Sequence, residues 1–290
     1  MSRVKVVAEI GASHHTRLED AKSLIFHAYE CGCDAVKIQT FDPALMCPDG
    51  ITLKEGPWEG MDLRDLYRVA HTPREWHKPL FDYANHLGIE LFSTPFHPSD
   101  VEFLQQFGVK RYKIASPEID YRDLWTAIGK ARPEELIVSL GCADADKLVE
   151  LRRRLPHVRK TFLFCRSNYT EPTLDIAQAS HVISKYRLDG ISDHSKDDNV
   201  AKLARLPITM IERHIRLVTD NDSLDSGFAT HTTAFRRFVE KVRYWESRPI
   251  DQSTLGDSNH PMKRGEWTMP DGTKAWLRPS PTVYGDSKCQ

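Results

Sequence analysis

Eight short runs of β-branched and aliphatic residues recur between Val4 and Glu212, and between most of them lie segments whose apolar residues repeat at helical spacing. The runs cover 4–9, 34–40, 89–94, 110–115, 135–140, 161–165, 189–192 and 208–212. The first intervening segment, 18–31, carries Leu18, Ala21, Leu24, Ile25 and Ala28 on one face and stops at Gly32. Further helices are expected at 63–70, 73–87, 124–131, 144–155, 174–186 and 199–206, and a last one at 233–245 that buries Phe235, Phe238, Val239 and Val242. Ser99 or Asp100 is expected to cap one more helix, with Val101, Leu104 and Phe107 facing inward before Gly108. Strand and helix in regular alternation, closing at eight, predict an α/β fold of the (β/α)8 TIM-barrel type. No Gly-x-Gly-x-x-Gly follows the first strand, which argues against a dinucleotide-binding sheet.

The barrel domain is expected to span 1–247, and 248–290 reads as a short extended tail with one hairpin around Asp271-Gly272. The stretch 41–62 holds several Pro and Gly and reads as a long loop over the barrel mouth or rim. With 290 residues the chain can bury one large core. A formal net charge of -1 implies no general attraction to nucleic acid or acidic membrane. The N-terminal apolar run is too short for a signal peptide or a membrane span. Six cysteines match neither a zinc ribbon nor a disulfide framework, so buried thiols in a reducing cytoplasm are expected.

The polar residues at the ends of these runs carry the chemistry. Lys37 and Lys113 stand near the ends of strands two and four, and Ser116, Ser139, Ser167 and Ser192 add hydroxyls at the ends of strands four to seven. Taken singly, each Ser is best read as a strand terminator; as a set with two lysines they suit a small ligand bearing phosphate and carboxylate. His194 and His214 end adjacent strands, where two neutral imidazoles with oxygen ligands suit Mn²⁺, Zn²⁺ or Fe²⁺. His14, His15, His97, His181 and His231 lack such pairing and read mostly as structural or surface residues. Glu9, ending strand one, reads as a lysine partner or a catalytic group, Asp193 as equally suited to orient a histidine or to react, and Asp225 as a binder of substrate hydroxyls or an acid/base.

Six segments then appear in order at these strand ends: Glu9-Ile10-Gly11, Lys37-Ile38-Gln39-Thr40, Ser93-Thr94-Pro95-Phe96, Tyr112-Lys113-Ile114-Ala115-Ser116, Ser192-Asp193-His194 and Ile211-Glu212-Arg213-His214. Together they resemble the sialic acid synthase (N-acetylneuraminate synthase) family over roughly 4–245. The resemblance implies a metal-dependent transferase of carbohydrate biosynthesis. It would condense phosphoenolpyruvate with a sugar or sugar-like aldehyde to a 2-keto-3-deoxy acid and inorganic phosphate. It also implies that Lys37, Lys113, Ser116, Ser139, Ser167 and Ser192 hold phosphoenolpyruvate. His194 and His214 would hold the divalent ion, Mn²⁺ foremost with Mg²⁺, Co²⁺ or Zn²⁺ as alternatives. Glu9, Gln39, Glu118, Tyr169 and Asp225 would meet the metal, its water or the acceptor.

The chain departs from the family's usual pattern at Ser13-His14-His15-Thr16, where Asn and Gly are replaced, and at Ser223-Leu224-Asp225, where Gly-Pro-Asp is usual. Residues 248–290 are too few for the antifreeze-like domain that follows the barrel in typical members. That domain supplies an Arg to the partner's acceptor pocket, and Arg278 or another tail group would have to substitute. A homodimer is expected. The alternatives are a Schiff-base aldolase using Lys113 or Lys37, and a non-catalytic barrel derived from the synthase.

Overall fold

The structure, a computed structural model, describes residues 3–54, 58–166, 173–248, 250, 267–268 and 274–275. Eight parallel strands form the barrel: β1 (Lys5–Glu9), β2 (Ala35–Thr40), β3 (Glu90–Pro95), β4 (Arg111–Ile114), β5 (Glu135–Ser139), β6 (Arg159–Cys165), β7 (Gly190–Asp193) and β8 (Met210–Arg216). Each pairs with its sequence neighbour, and β1 pairs with β8 to close the ring, so the expected (β/α)8 barrel is the observed one. Helices α1 (Leu18–Glu30), α2 (Pro43–Met46), α3 (Leu63–Ala70), α4 (Arg74–Leu87), α5 (Pro98–Gln105), α6 (Arg122–Ala131), α7 (Ala145–Arg153), α8 (Ile176–Tyr186) and α9 (Thr232–Glu246) complete it. Among the described residues, no helix is long and apolar enough to cross a membrane.

Strand periodicity of two divides the side chains into two cores. Val6, Ala8, Val36, Ile38, Leu136, Val138 and Ile211 face outward and pack with the inner stripes of the helices. Val7, Ala35, Phe92, Ile137, Leu163 and Met210 form a separate apolar layer. Two residues further along, the same faces present Glu9, Lys37, Thr94, Ser139, Cys165 and Glu212. An apolar layer therefore carries a polar one at the carboxyl ends of the strands, the end where barrels of this kind hold their chemistry. Gly190 permits β7 and β8 to close on each other, because a Cβ there would overlap the carbonyl oxygen of Met210.

Three local expectations change. The cap of α5 is His97, whose ring accepts from Ser99 N at 3.2 Å, while the Asp100 carboxylate accepts the His97 N–H at 2.9 Å in the reciprocal arrangement. The segment expected as an α-helix at 199–206 is a 3₁₀ helix over Asp198–Arg205. Strand β8 runs four residues beyond its expected end, so His214 lies within the ladder, in register with Glu9. The loop at 41–62 does contain the short α2 and covers a satellite core of Phe41, Met46, Leu63, Leu66, Tyr67 and Phe96. Trp267–Thr268 pairs antiparallel with Lys274–Ala275; Asp271-Gly272, where the hairpin turn is expected, lie outside the described residues. Cys31, Cys33, Cys47, Cys142 and Cys165 are free thiols, all buried but Cys33, which is half-buried.

Candidate active site

The polar layer lines a cleft of about 540 Å³, measured out to its open mouth. Lys37, Lys113, Ser116, Ser139, Ser192, His194, His214, Glu9 and Gln39 all border it, with Thr94, Cys165 and Glu212. Most of the residues singled out from sequence thus converge on one space. Ser167 and Tyr169 lie outside the described residues. Glu118 is buried in the 3₁₀ turn Ser116–Glu118 after β4, next to the cleft's border residues Ser116 and Pro117 but not itself on the border. Asp225 stands one contact back, behind His214.

Glu212 organises the cationic half, and the sequence reading does not single it out. Lys113 Nζ donates to both of its carboxylate oxygens at 2.7 and 2.9 Å, and Ser192 Oγ donates to Oε1 at 2.9 Å. Lys37 Nζ lies 3.8 Å from the same oxygen, 2.6 Å from Glu9 Oε2 and 3.0 Å from Thr94 Oγ1, to which it donates. Gln39 donates to the other Glu9 oxygen at 3.0 Å. Glu9 is therefore a lysine partner. Two ammoniums face two carboxylates, and all four are buried. Such burial is tolerable only because each charge is paired.

The titration of the group follows from this pairing. Burial acts against the Glu212 carboxylate, but Lys113 and Lys37 outweigh it and hold its pKa down at about 2. Burial also acts against the Lys37 ammonium, yet Glu212 and Glu9 push its pKa above the usual value. For Lys113 burial prevails over Glu212, with Lys37 adding repulsion, and its pKa is lowered. Ser116 Oγ accepts from Gly141 N at 2.9 Å. Ser139 Oγ is buried without a partner among the described residues, which fits a hydroxyl reserved for a bound anion.

The imidazoles of His194 and His214 lie with ring centroids 5.3 Å apart, edged by Phe228. His194 Nδ1 faces the carbonyl of Arg166 at 3.1 Å, which can only accept, so that nitrogen carries the proton. His214 Nδ1 faces Asp225 Oδ2 at 3.0 Å, and the same assignment follows. In the neutral form of either ring the lone pair then sits on Nε2. A carboxylate or carbonyl behind each imidazole is the usual support of a metal-binding histidine. Burial, only partly offset by the Arg166 carbonyl, lowers the pKa of His194, so its ring is neutral and able to ligate near pH 7. The donor set fits a divalent cation of borderline character.

Asp225 also accepts from Ala12 N at 2.9 Å, which ties the loop after β1 to the loop after β8. Gly11 makes room for it: the residue sits at φ +51, and a Cβ there would overlap Asp225 Oδ2 and press on the His214 ring. Burial opposes the Asp225 carboxylate, but the His214 contact prevails and lowers its pKa. Asp193, the other candidate for orienting a histidine, turns away from the cleft toward Arg213.

A second group of donors, His15, Asp220 and Asp222, gathers outside the cleft. His15 Nε2 lies 3.0 and 3.1 Å from the two carboxylates. These three side chains could together hold a metal ion, apart from the cleft.

A profile of the NeuB family matches residues 24–251. The chain belongs to the NeuB family. It is 32% identical to the pseudaminic acid synthase of Campylobacter jejuni subsp. jejuni serotype O:2, over 96% of this chain and 88% of that protein. It is 33% identical to the pseudaminic acid synthase of Helicobacter pylori, over 82% of this chain and 73% of that protein. The N-acetylneuraminic acid (sialic acid) synthetase of Leptospira borgpetersenii serovar Hardjo-bovis, solved in complex with citrate, superposes with a TM-score of 0.70. It covers 89% of this chain and 87% of that one at 22% identity, a likeness of fold. As a NeuB-family member the chain is an enzyme, a phosphoenolpyruvate-dependent synthase of the carbon–carbon bond-forming type.

Proposed function

We propose that this NeuB-family synthase joins phosphoenolpyruvate to a sugar aldehyde, yielding a 2-keto-3-deoxy sugar acid and inorganic phosphate, with a divalent cation, Mn²⁺ foremost, at His194 and His214. The observation that carries the reading is convergence: two buried lysines, a serine hydroxyl unpartnered among the described residues and two supported imidazoles border one cleft. Acceptors that lead to pseudaminic-type acids are the first to test, since relatives at 32% and 34% identity are pseudaminic acid synthases.

In this reading Lys37, Lys113, Ser116, Ser139, Ser167 and Ser192 hold the phosphate and carboxylate charge of phosphoenolpyruvate. Their fixed positions stabilise charge without reorganisation during the reaction. Lys113 and Ser192 are pre-aimed by Glu212, and Lys37 by Glu9 and Thr94. A divalent cation held by His194 and His214 would supply Lewis-acid polarisation of an aldehyde oxygen. C3 of phosphoenolpyruvate then forms the new bond to the aldehyde carbon. Water adds at C2 and gives one proton to the former aldehyde oxygen; the bond from C2 to the phosphate oxygen then breaks, the C2 hydroxyl becomes the ketone, and its proton leaves with phosphate. Asp225 keeps the His214 proton on Nδ1 throughout. Glu9, Gln39, Glu118, Tyr169 and Asp225 are assigned to the metal, its water or the acceptor, Asp225 through His214, and holding both substrates in one mouth supplies proximity.

The test is incubation with phosphoenolpyruvate, Mn²⁺ and a panel of sugar aldehydes, read by phosphate release and product mass. Metal-dependent phosphate release with one aldehyde supports the reading. Absence of release across the panel, or a borohydride-trapped lysine adduct with chelator-insensitive turnover, overturns it. A cytoplasmic homodimer belongs to the same reading, and sedimentation as a monomer at working concentration would remove that part.

A further inference from the structure

Arg213 is the largest fully buried side chain among the described residues, 1% exposed, and the chemistry above does not use it. It lies between Glu212 and His214 on β8, so strand alternation turns it out of the barrel while its neighbours face in. Its guanidinium faces oxygens of three residues: it pairs with Asp193 at the end of β7 and donates hydrogen bonds to Ser195 and Asp198 on the segment that follows. Nε lies 3.3 Å from Asp193 Oδ2, Nη2 donates to Ser195 O at 2.9 Å, and Nη1 donates to Asp198 Oδ1 at 3.1 Å. Asp193 and Arg213 are also register partners in the β7–β8 ladder. Asp193 Oδ1 accepts from Ser195 N at 3.0 Å, which closes the turn on itself. On its far side the guanidinium stacks 4.3 Å from the Phe238 ring of α9.

Residue 194 is the one between the gripped residues 193 and 195. We infer that Arg213 is a positioning residue for the metal centre: its planar fork clamps 193, 195 and 198 against α9 and so sets where the His194 imidazole stands relative to His214. The inference rests on the metal reading above. A guanidinium is suited to this because its donors diverge in one fixed plane, whereas a lysine ammonium is a single point that cannot span three acceptors.

The experiment measures Mn²⁺ affinity of the whole chain by electron paramagnetic resonance, well below the melting temperature, with no substrate present. Wild type, His194→Ala, Arg213→Lys, Asp193→Asn and Lys241→Ala are compared. Lys241 reaches Asp198 from the exposed side at 2.8 Å and serves as the control. Arg213→Lys is expected to bind about tenfold more weakly or worse, the usual effect of disturbing the support of a metal ligand. Asp193→Asn keeps its size and its Ser195 contact, and shifts affinity in the same direction even where Arg213→Lys folds poorly. Lys241→Ala stays within about twofold of wild type on the same scale. Wild type that binds Mn²⁺ through His194, with Arg213→Lys and Asp193→Asn both unchanged, overturns the positioning role while leaving the metal site standing. Wild type that binds no Mn²⁺ overturns the metal site itself and the inference with it.

Discussion

Replacing Glu212 by Gln removes one negative charge from the centre of the cleft while keeping the side chain's size. In the wild type that carboxylate receives Lys113 twice and Ser192 once, with Lys37 at 3.8 Å. Its pKa falls from the ordinary 4.5 to about 2 in the folded protein. A folded pKa below the unfolded one stabilises the fold fully above pH 4.5, and that contribution is lost as pH falls through about 2. A depression of this size corresponds to about 3 kcal/mol at neutral pH. Removing one partner of a buried ion pair costs about 3–5 kcal/mol, an independent figure of the same size. Urea denaturation of Glu212→Gln at pH 7.5 is therefore expected to show a loss of about 3 kcal/mol with an unchanged slope. Inorganic phosphate should recover part of it, because an anion bound by Lys37 and Lys113 supplies the missing charge and stabilises only the folded state. A variant within about 1 kcal/mol of wild type, with or without phosphate, would show that these charges are not coupled as described.

Three further outcomes follow from the same geometry. Dialysis against a chelator should abolish phosphate release and Mn²⁺ restore it, while His214→Ala stays inactive after Mn²⁺ is returned; the assay is phosphate release from phosphoenolpyruvate. Gly11→Ala should lower stability by about 1–3 kcal/mol, from a positive φ and an overlap with Asp225, and should cut activity as well, measured by urea denaturation and turnover. Buried His14 and His77 each titrate near 4 rather than 6.5, burial being the main cause. Their stabilising contribution is complete above pH 6.5 and is lost as pH falls toward 4, so unfolding free energy should decline steeply across that window, and His77→Gln should flatten part of the slope.

The architecture was legible because its signal is local. Strand runs ending in Glu9, Thr40, Ser139 and Cys165, and stripes such as Leu24, Ile25 and Ala28, state their own period. Where the structure departs from the spacing, competing chemistry is equally local. His97 caps the helix in place of Ser99 or Asp100, because its Nδ1 can accept as a carboxylate does. The β7–β8 connection takes a 3₁₀ helix where its spacing suggests an α-helix.

The site divides along a different line. Lysines, serines and histidines at strand ends announce themselves, because each is an ionisable or hydroxyl group at an end where apolar residues would otherwise continue. Glu212 ends the expected run 208–212 in the same way, but a carboxylate there does not name its partner: Lys113 is 99 residues away, so the pair exists only once β8 has closed on β1 and brought them across one interior. Alternation alone would have found it: if His214 faces the mouth, Glu212 must, and Arg213 must face the helices. From that step two consequences were available without coordinates. An inward carboxylate among inward lysines has to neutralise them, and an outward buried arginine has to find acceptors beside the neighbouring strand, which is where Asp193 and Ser195 stand. The two ends of the Ile211-Glu212-Arg213-His214 motif therefore constrain each other, and charge pairing across a closed barrel can be read from strand parity once one inward residue is fixed.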